Sequence, residues 1–198
     1  MRRLRWLPGL YDEHQTGGVM SRLQLKRDVW LATAAQQARL STCLRAQVGC
    51  VLLRQDGSVA GTGYNGSLPG YAHCEPQTCN PSTRCLRTRH AERSALDYSL
   101  GPINAAYVTH EPCLSCLKDL LARDCKEIYF LSRYPVKDPV EASAKRELLK
   151  QSYLSWTWTK QDGTIRAYQA GVPRFDTKWC TSCNDEGCDE CGFLPVPK

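Results

Sequence analysis

His90 and Glu92 stand two residues apart in the stretch RTRHAERSAL, and further along Cys113 and Cys116 stand in THEPCLSCLKDL. Neither segment needs these residue types to build a helix or a sheet. One imidazole and two thiolates make three protein ligands for a zinc ion, and a catalytic zinc keeps a fourth position open for water. Such an ion lowers the pKa of its water until hydroxide forms near neutral pH. Glu92 is then not spent on the metal and is free to carry the water's proton to a substrate. The competing reading is a closed structural zinc completed by a further cysteine, but such a site has no use for a glutamate so placed.

These side chains need elements to hold them. His90 and Glu92 fall at the start of a helix expected over 90–99, after a long loop. Cys113 and Cys116, at i and i+3, fall in the first turn of a helix over 113–123, which puts both sulfurs on one face. Pro112 suits the first position of that helix, and a helix N-terminus favours thiolate over thiol. Around them the pattern alternates. An amphipathic helix is expected over 25–40, an apolar strand over 48–53, a turn at Asp56-Gly57 and a return strand over 58–64. Strands at 105–109 and 127–131 and a helix over 140–150 follow, and WTWTKQDGTIRAY (156–168) reads as a second hairpin. Strands alternating with helices make an α/β layered domain, and the opening hairpin makes its sheet mixed.

The bulk composition allows this and excludes other classes. The 198 residues suffice for one domain with a core and a small appendage, and 42% hydrophobic with 23% charged residues is ordinary for a globular protein. No run approaches the roughly 20 apolar residues that cross a bilayer, and the basic N-terminus lacks the apolar segment of a secretory signal. A cytoplasmic protein with no membrane partner is expected. A net charge of +6, much of it near the front, suits an anionic ligand and also mere solubility. Twelve cysteines are many for that compartment. Their spacing points to metal rather than disulfides, with a secreted disulfide protein as the alternative. Cys180, Cys183, Cys188 and Cys191 form paired C-x2-C knuckles in the tail, a structural-zinc pattern with free thiols or disulfides as the other reading. His73, Cys74, Cys79 and Cys85 crowd a Pro-rich loop, either as a further zinc staple or as reduced thiols. Cys43, Cys50 and Cys125 stand alone and read as small buried hydrophobes. The expected division is a poorly ordered leader over 1–19, a catalytic domain over 20–152 and an extension over 153–198 carrying the hairpin and the cysteine knuckles. Met20 is a candidate second start.

The H-x-E…P-C-x-x-C arrangement is a recognised signature of zinc nucleobase deaminases. The pieces STCLRAQVGCVLL, GTGYNGSLPGYAHC, CLRTRHAERSAL and YVTHEPCLSCLKDLL extend the likeness, and the run 25–134 resembles the deoxycytidylate (dCMP) deaminase family. The resemblance implies a cytidine-deaminase-like three-layer α/β/α sandwich with a mixed five-stranded sheet, to which the small Cys-rich C-terminal tail is an addition. It implies hydrolysis of dCMP to dUMP for thymidylate synthesis, by attack of hydroxide on cytosine C4 while Glu92 protonates N3 and the leaving amine. It further implies dCTP and dTTP as effectors and a homo-oligomer, commonly a hexamer.

Matched to this chain, Asn65 of GYNG is a candidate for gripping the deoxyribose, or else a turn residue. Arg45 is a candidate phosphate ligand, or else a surface charge. Tyr134 lines the pocket or packs as a core aromatic. Two rival functions remain at this level. A deaminase of bases in RNA or DNA would share the zinc chemistry, and the EPC triplet also occurs in tRNA adenosine deaminases. A zinc-stabilised binding module without catalysis would leave Glu92 idle.

Overall fold

The computed structural model describes residues 21–77, 79, 85, 87–134, 136, 138–152, 154–159 and 165–169. Helix α1 is Arg22–Ala38, α2 is Ala91–Asp97, α3 is Leu114–Leu121 and α4 is Pro139–Gln151. The strands are β1 (Gly49–Leu53), β2 (Val59–Tyr64), β3 (Ala105–His110), β4 (Glu127–Ser132), β5 (Ser155–Thr159) and β6 (Ile165–Gln169). They form one sheet in the order β2-β1-β3-β4-β5-β6. Strand β1 pairs antiparallel with β2 and β3, whereas β3–β4 and β4–β5 are parallel. Parallel neighbours need a crossover, which α3 and α4 supply. The antiparallel β5–β6 hairpin adds a sixth strand to the five-stranded mixed sheet expected of the fold.

The period-two alternation of the strands sorts the core into two layers. Cys50 and Leu52 of β1, Ala106 and Val108 of β3, and Ile128 and Phe130 of β4 face α2, α3 and α4. Val51 and Leu53, Ala105 and Tyr107, and Tyr129 face α1, which contributes Leu31 and Ala34. Helices thus cover both faces, which explains why β1 is buried at every position. Cys43, Cys50 and Cys125 are buried, as their isolation in the sequence suggested.

Three local details differ from expectation. Helix α1 begins at Arg22 rather than at 25, because Ser21 and Gln24 form a capping box: Gln24 N–H donates to Ser21 Oγ at 3.2 Å and Ser21 N–H to Gln24 Oε1 at 2.9 Å. Cys113 is the N-cap of α3 rather than part of its first turn, so Pro112 precedes the cap instead of opening the helix. The hairpin assigned to the extension is continuous with the main sheet, since β5 pairs with β4. Among the described residues no helix is long and apolar enough to cross a membrane.

Candidate active site

The first turn of α2 and the N-cap of α3 converge beyond the end of β3. His90 caps α2 with an extended backbone, φ −76° and ψ 151°, and Cys113 caps α3 with φ −68° and ψ 167°. Glu92, in the first turn of α2, is buried. The segment before His90 is fixed by a two-way bridge, in which Gly66 N–H donates to Arg89 O at 3.1 Å and Arg89 N–H to Gly66 O at 2.8 Å. Helix α2 in turn lies directly on β2. A Cβ at Gly63 would come 2.5 Å from Ala91 O, and one at Gly61 would come 2.5 Å from Ala95 O. Only glycine permits that approach.

His90 Nδ1 lies 3.5 Å from Cys113 Sγ and 3.3 Å from Cys116 Sγ. The three donor atoms all lie within 4.8 Å of one another, the only such group of three or more metal-binding side chains among the described residues. A tetrahedral zinc with the usual bond lengths sets its N and S ligands roughly 3.6 Å apart. The donor set therefore fits zinc in both type and spacing. The three donors shift one another's proton affinity in opposite directions. A hydrogen bond from Cys116 and then one with His90 lower the Cys113 thiol to about 3. Sharing with Cys113 and burial raise Cys116, and the Cys113 contact raises His90. Burial raises the carboxyl of Glu92, and hydrogen bonding and the His90 charge offset part of the rise.

A cavity of about 280 Å³ opens at this triad. Glu92 and His90 line it together with Asn65, Arg45 and Tyr134, so the structure brings together the candidates that sequence reasoning placed there. Asn65 is not a turn residue. It is buried, its Oδ1 accepts from Ser41 Oγ at 2.6 Å and Val48 N–H at 2.8 Å, and its Nδ2 donates to Ala46 O at 2.8 Å. It thereby pins the 41–48 segment, which carries Arg45, against the pocket. Arg45 and Tyr134 are exposed at the rim, which removes the reading of Tyr134 as a core aromatic.

Cys74 and Cys85 both approach Thr88, at 3.9 and 3.2 Å. His73, Cys74, Cys79 and Cys85 do not gather three donor atoms. Cys180, Cys183, Cys188 and Cys191 lie outside the described residues, as does the leader. No disulfide joins any of the eight described cysteines. Sequence reasoning missed His110 and Glu111, which also line the cavity. Their place between strand β3 and Pro-Cys was the available signal, because the end of a central strand beside a ligand must face the site.

Comparison with known proteins agrees with this geometry. The family described as "Cytidine and deoxycytidylate deaminase zinc-binding region" matches residues 26–132. The ComE operon protein 2 of Bacillus subtilis (strain 168) is 37% identical over 111 residues, 53% of this chain and 58% of that protein. The match thus spans little more than half of that relative. The deoxycytidylate deaminase of Mycobacterium phage D29 is 32% identical over 123 residues, covering 52% of this chain and 91% of the phage protein. Among solved structures, the dCMP deaminase from cyanophage S-TIM5 in complex with dCMP and dUMP superposes with a TM-score of 0.52 at 25% identity, over 66% of this chain and 95% of that one. Since the family match covers more than half of the chain and includes every donor of the triad, the chain belongs to the cytidine and deoxycytidylate deaminases, a family of zinc-binding hydrolytic enzymes.

Proposed function

We propose that the protein hydrolyses dCMP to dUMP and ammonia. The observation that carries this reading is the burial of Glu92 beside the His90, Cys113 and Cys116 donors at the base of a single pocket. When bound to those donors, zinc supplies the Lewis acidity that makes water a nucleophile near neutral pH. Glu92 takes the water's proton and delivers it to N3 of the pyrimidine, then carries the proton of the new C4 hydroxyl to the departing amine, so that the C4–N bond breaks as the C4 carbonyl forms. Its burial raises its proton affinity, which suits a group that must both accept and release a proton. Asn65 has a second amide N–H that no bond among the described residues uses, and this group grips the sugar. Arg45, at the rim, takes the phosphate through its planar guanidinium.

A cavity of about 280 Å³ supports a single nucleotide as the ligand. The phage relative named a deoxycytidylate deaminase supports dCMP in particular. Regulation by dCTP and dTTP and oligomerisation extend the proposal on the family's pattern, whereas a structural zinc in the cysteine tail rests on the paired C-x2-C spacing alone. The test is ammonia release from dCMP, dCTP, cytidine and a cytosine-containing single-stranded oligonucleotide. The proposal predicts the highest kcat/KM for dCMP. Deamination of the oligonucleotide with dCMP left intact would overturn it.

A further inference from the structure

Glu111 occupies the pocket wall between His110 and the donor Cys113, yet its carboxylate is engaged by cations behind the wall. Oε1 accepts from Lys145 Nζ at 2.7 Å. Oε2 pairs with Arg133 Nε at 2.9 Å and accepts the Tyr134 N–H at 3.2 Å. The Glu111 and Lys145 side chains are only 7% and 5% exposed, and the Lys145 ammonium lies 5.3 Å from the centroid of the Trp156 ring. Four pieces of the fold therefore meet here: the residue after β3, the two residues after β4, helix α4 and strand β5. Lys145 and Trp156 lie beyond residues 26–132, so this support is built by sequence outside the region that matches the family.

An ion pair buried this deeply gives no general stability advantage over a well-packed apolar pair. Its distinctive property is direction, because a carboxylate held by two cations presents its oxygens in a fixed orientation. One of those oxygens holds the backbone of Tyr134. Tyr134 is 55% exposed, so its position on the pocket wall depends on how its backbone is held.

We propose that the Glu111–Lys145 pair is a latch that fixes the backbone of Tyr134 against the pocket and thereby sets substrate affinity, without taking part in bond making. The substrate half of this inference rests on the dCMP reading above. Glu111 and Lys145 are positioning residues in this account, and the test is Lys145→Met in the zinc-loaded protein. Arg133 still pairs with Glu111 in that variant, so the carboxylate keeps a counter-charge.

The variant is expected to speed hydrogen exchange at the Tyr134 amide by about 10-fold or more, with core strand amides unchanged. Its KM for dCMP should rise by about 5-fold or more, with kcat within about 2-fold and unchanged zinc content. Unchanged Tyr134 exchange overturns the latch, and so does faster exchange with unchanged KM. If Lys145→Met does not fold, Glu111→Leu/Lys145→Met removes both charges together, and an unaltered KM there overturns the latch equally. A wild-type protein that does not deaminate dCMP sinks the substrate proposal, while the exchange comparison still decides the latch.

Discussion

Glu92 has a conflict between its place and its charge. It is 3% exposed, so ionisation removes a hydrated carboxylate from water, and burial accordingly raises its pKa. In the unfolded chain the same group titrates in the ordinary range. As pH rises above that range, the unfolded state gains by ionising while the folded carboxyl resists, so the native state loses stability until pH passes the raised folded value. Glutamine has the same shape and no such cost. Glu92→Gln should therefore be more stable than wild type at neutral pH, with a higher Tm. The gap should shrink as pH falls towards the ordinary glutamate range. Thermal melts of the two proteins across pH, at equal zinc content, check this, and a variant less stable at neutral pH contradicts it. Asn65 follows a different logic. Its amide satisfies three structural hydrogen bonds and still lines the pocket, so one residue both packs the 41–48 segment and shapes the cavity.

At the scale of elements, the distance between α2 and α3 decides whether His90 and Glu92 meet Cys113 and Cys116. Arg93 bridges the helices, its Nε 2.7 Å from Asp119 Oδ2 and its Nη2 donating to Ser115 Oγ. Those side chains are 45% and 39% exposed, and exposed pairs of this kind contribute only about 0–1 kcal/mol. The seat of α2 on the glycines of β2 is the stronger constraint. Gly63→Val would force a branched side chain against Ala91 O and lift the helix. The expected cost is about 1–3 kcal/mol of stability from overpacking. Zinc affinity should fall with it, read by chelator competition. Full affinity and an unshifted Tm would show that β2 does not set the position of α2. These elements were legible because their signals are local. Asp56-Gly57 marks the first hairpin, the 105–109 and 127–131 runs mark the parallel strands, and H-x-E and C-x-x-C each lie within one helical turn. The start of α1 was misplaced because the apolar pattern begins at Leu25, whereas the cap that starts the helix is the polar pair Ser21 and Gln24.

At the scale of the whole molecule, the sheet brings residues from separated stretches to one pocket. Sequence reasoning recovered that convergence where recognisable motifs carried it. It did not find the Glu111–Lys145 contact, whose partners lie 34 positions apart and carry no motif between them. Nor did spacing alone decide the 73–85 loop, where Cys74 and Cys85 meet Thr88 rather than a third donor. Metal spacing in a sequence identifies ligands only when short elements fix their geometry, as α2 and α3 do here. The central claim is that a buried carboxyl beside a three-donor zinc site drives hydrolytic deamination. Its most direct test is steady-state ammonia release from dCMP by the zinc-loaded protein and its Glu92→Gln variant at matched zinc content. The account predicts turnover by the wild type and a loss of kcat of about 10²–10⁴-fold in the variant, the range for removal of a general acid–base group. A variant with wild-type turnover and full zinc content would contradict it.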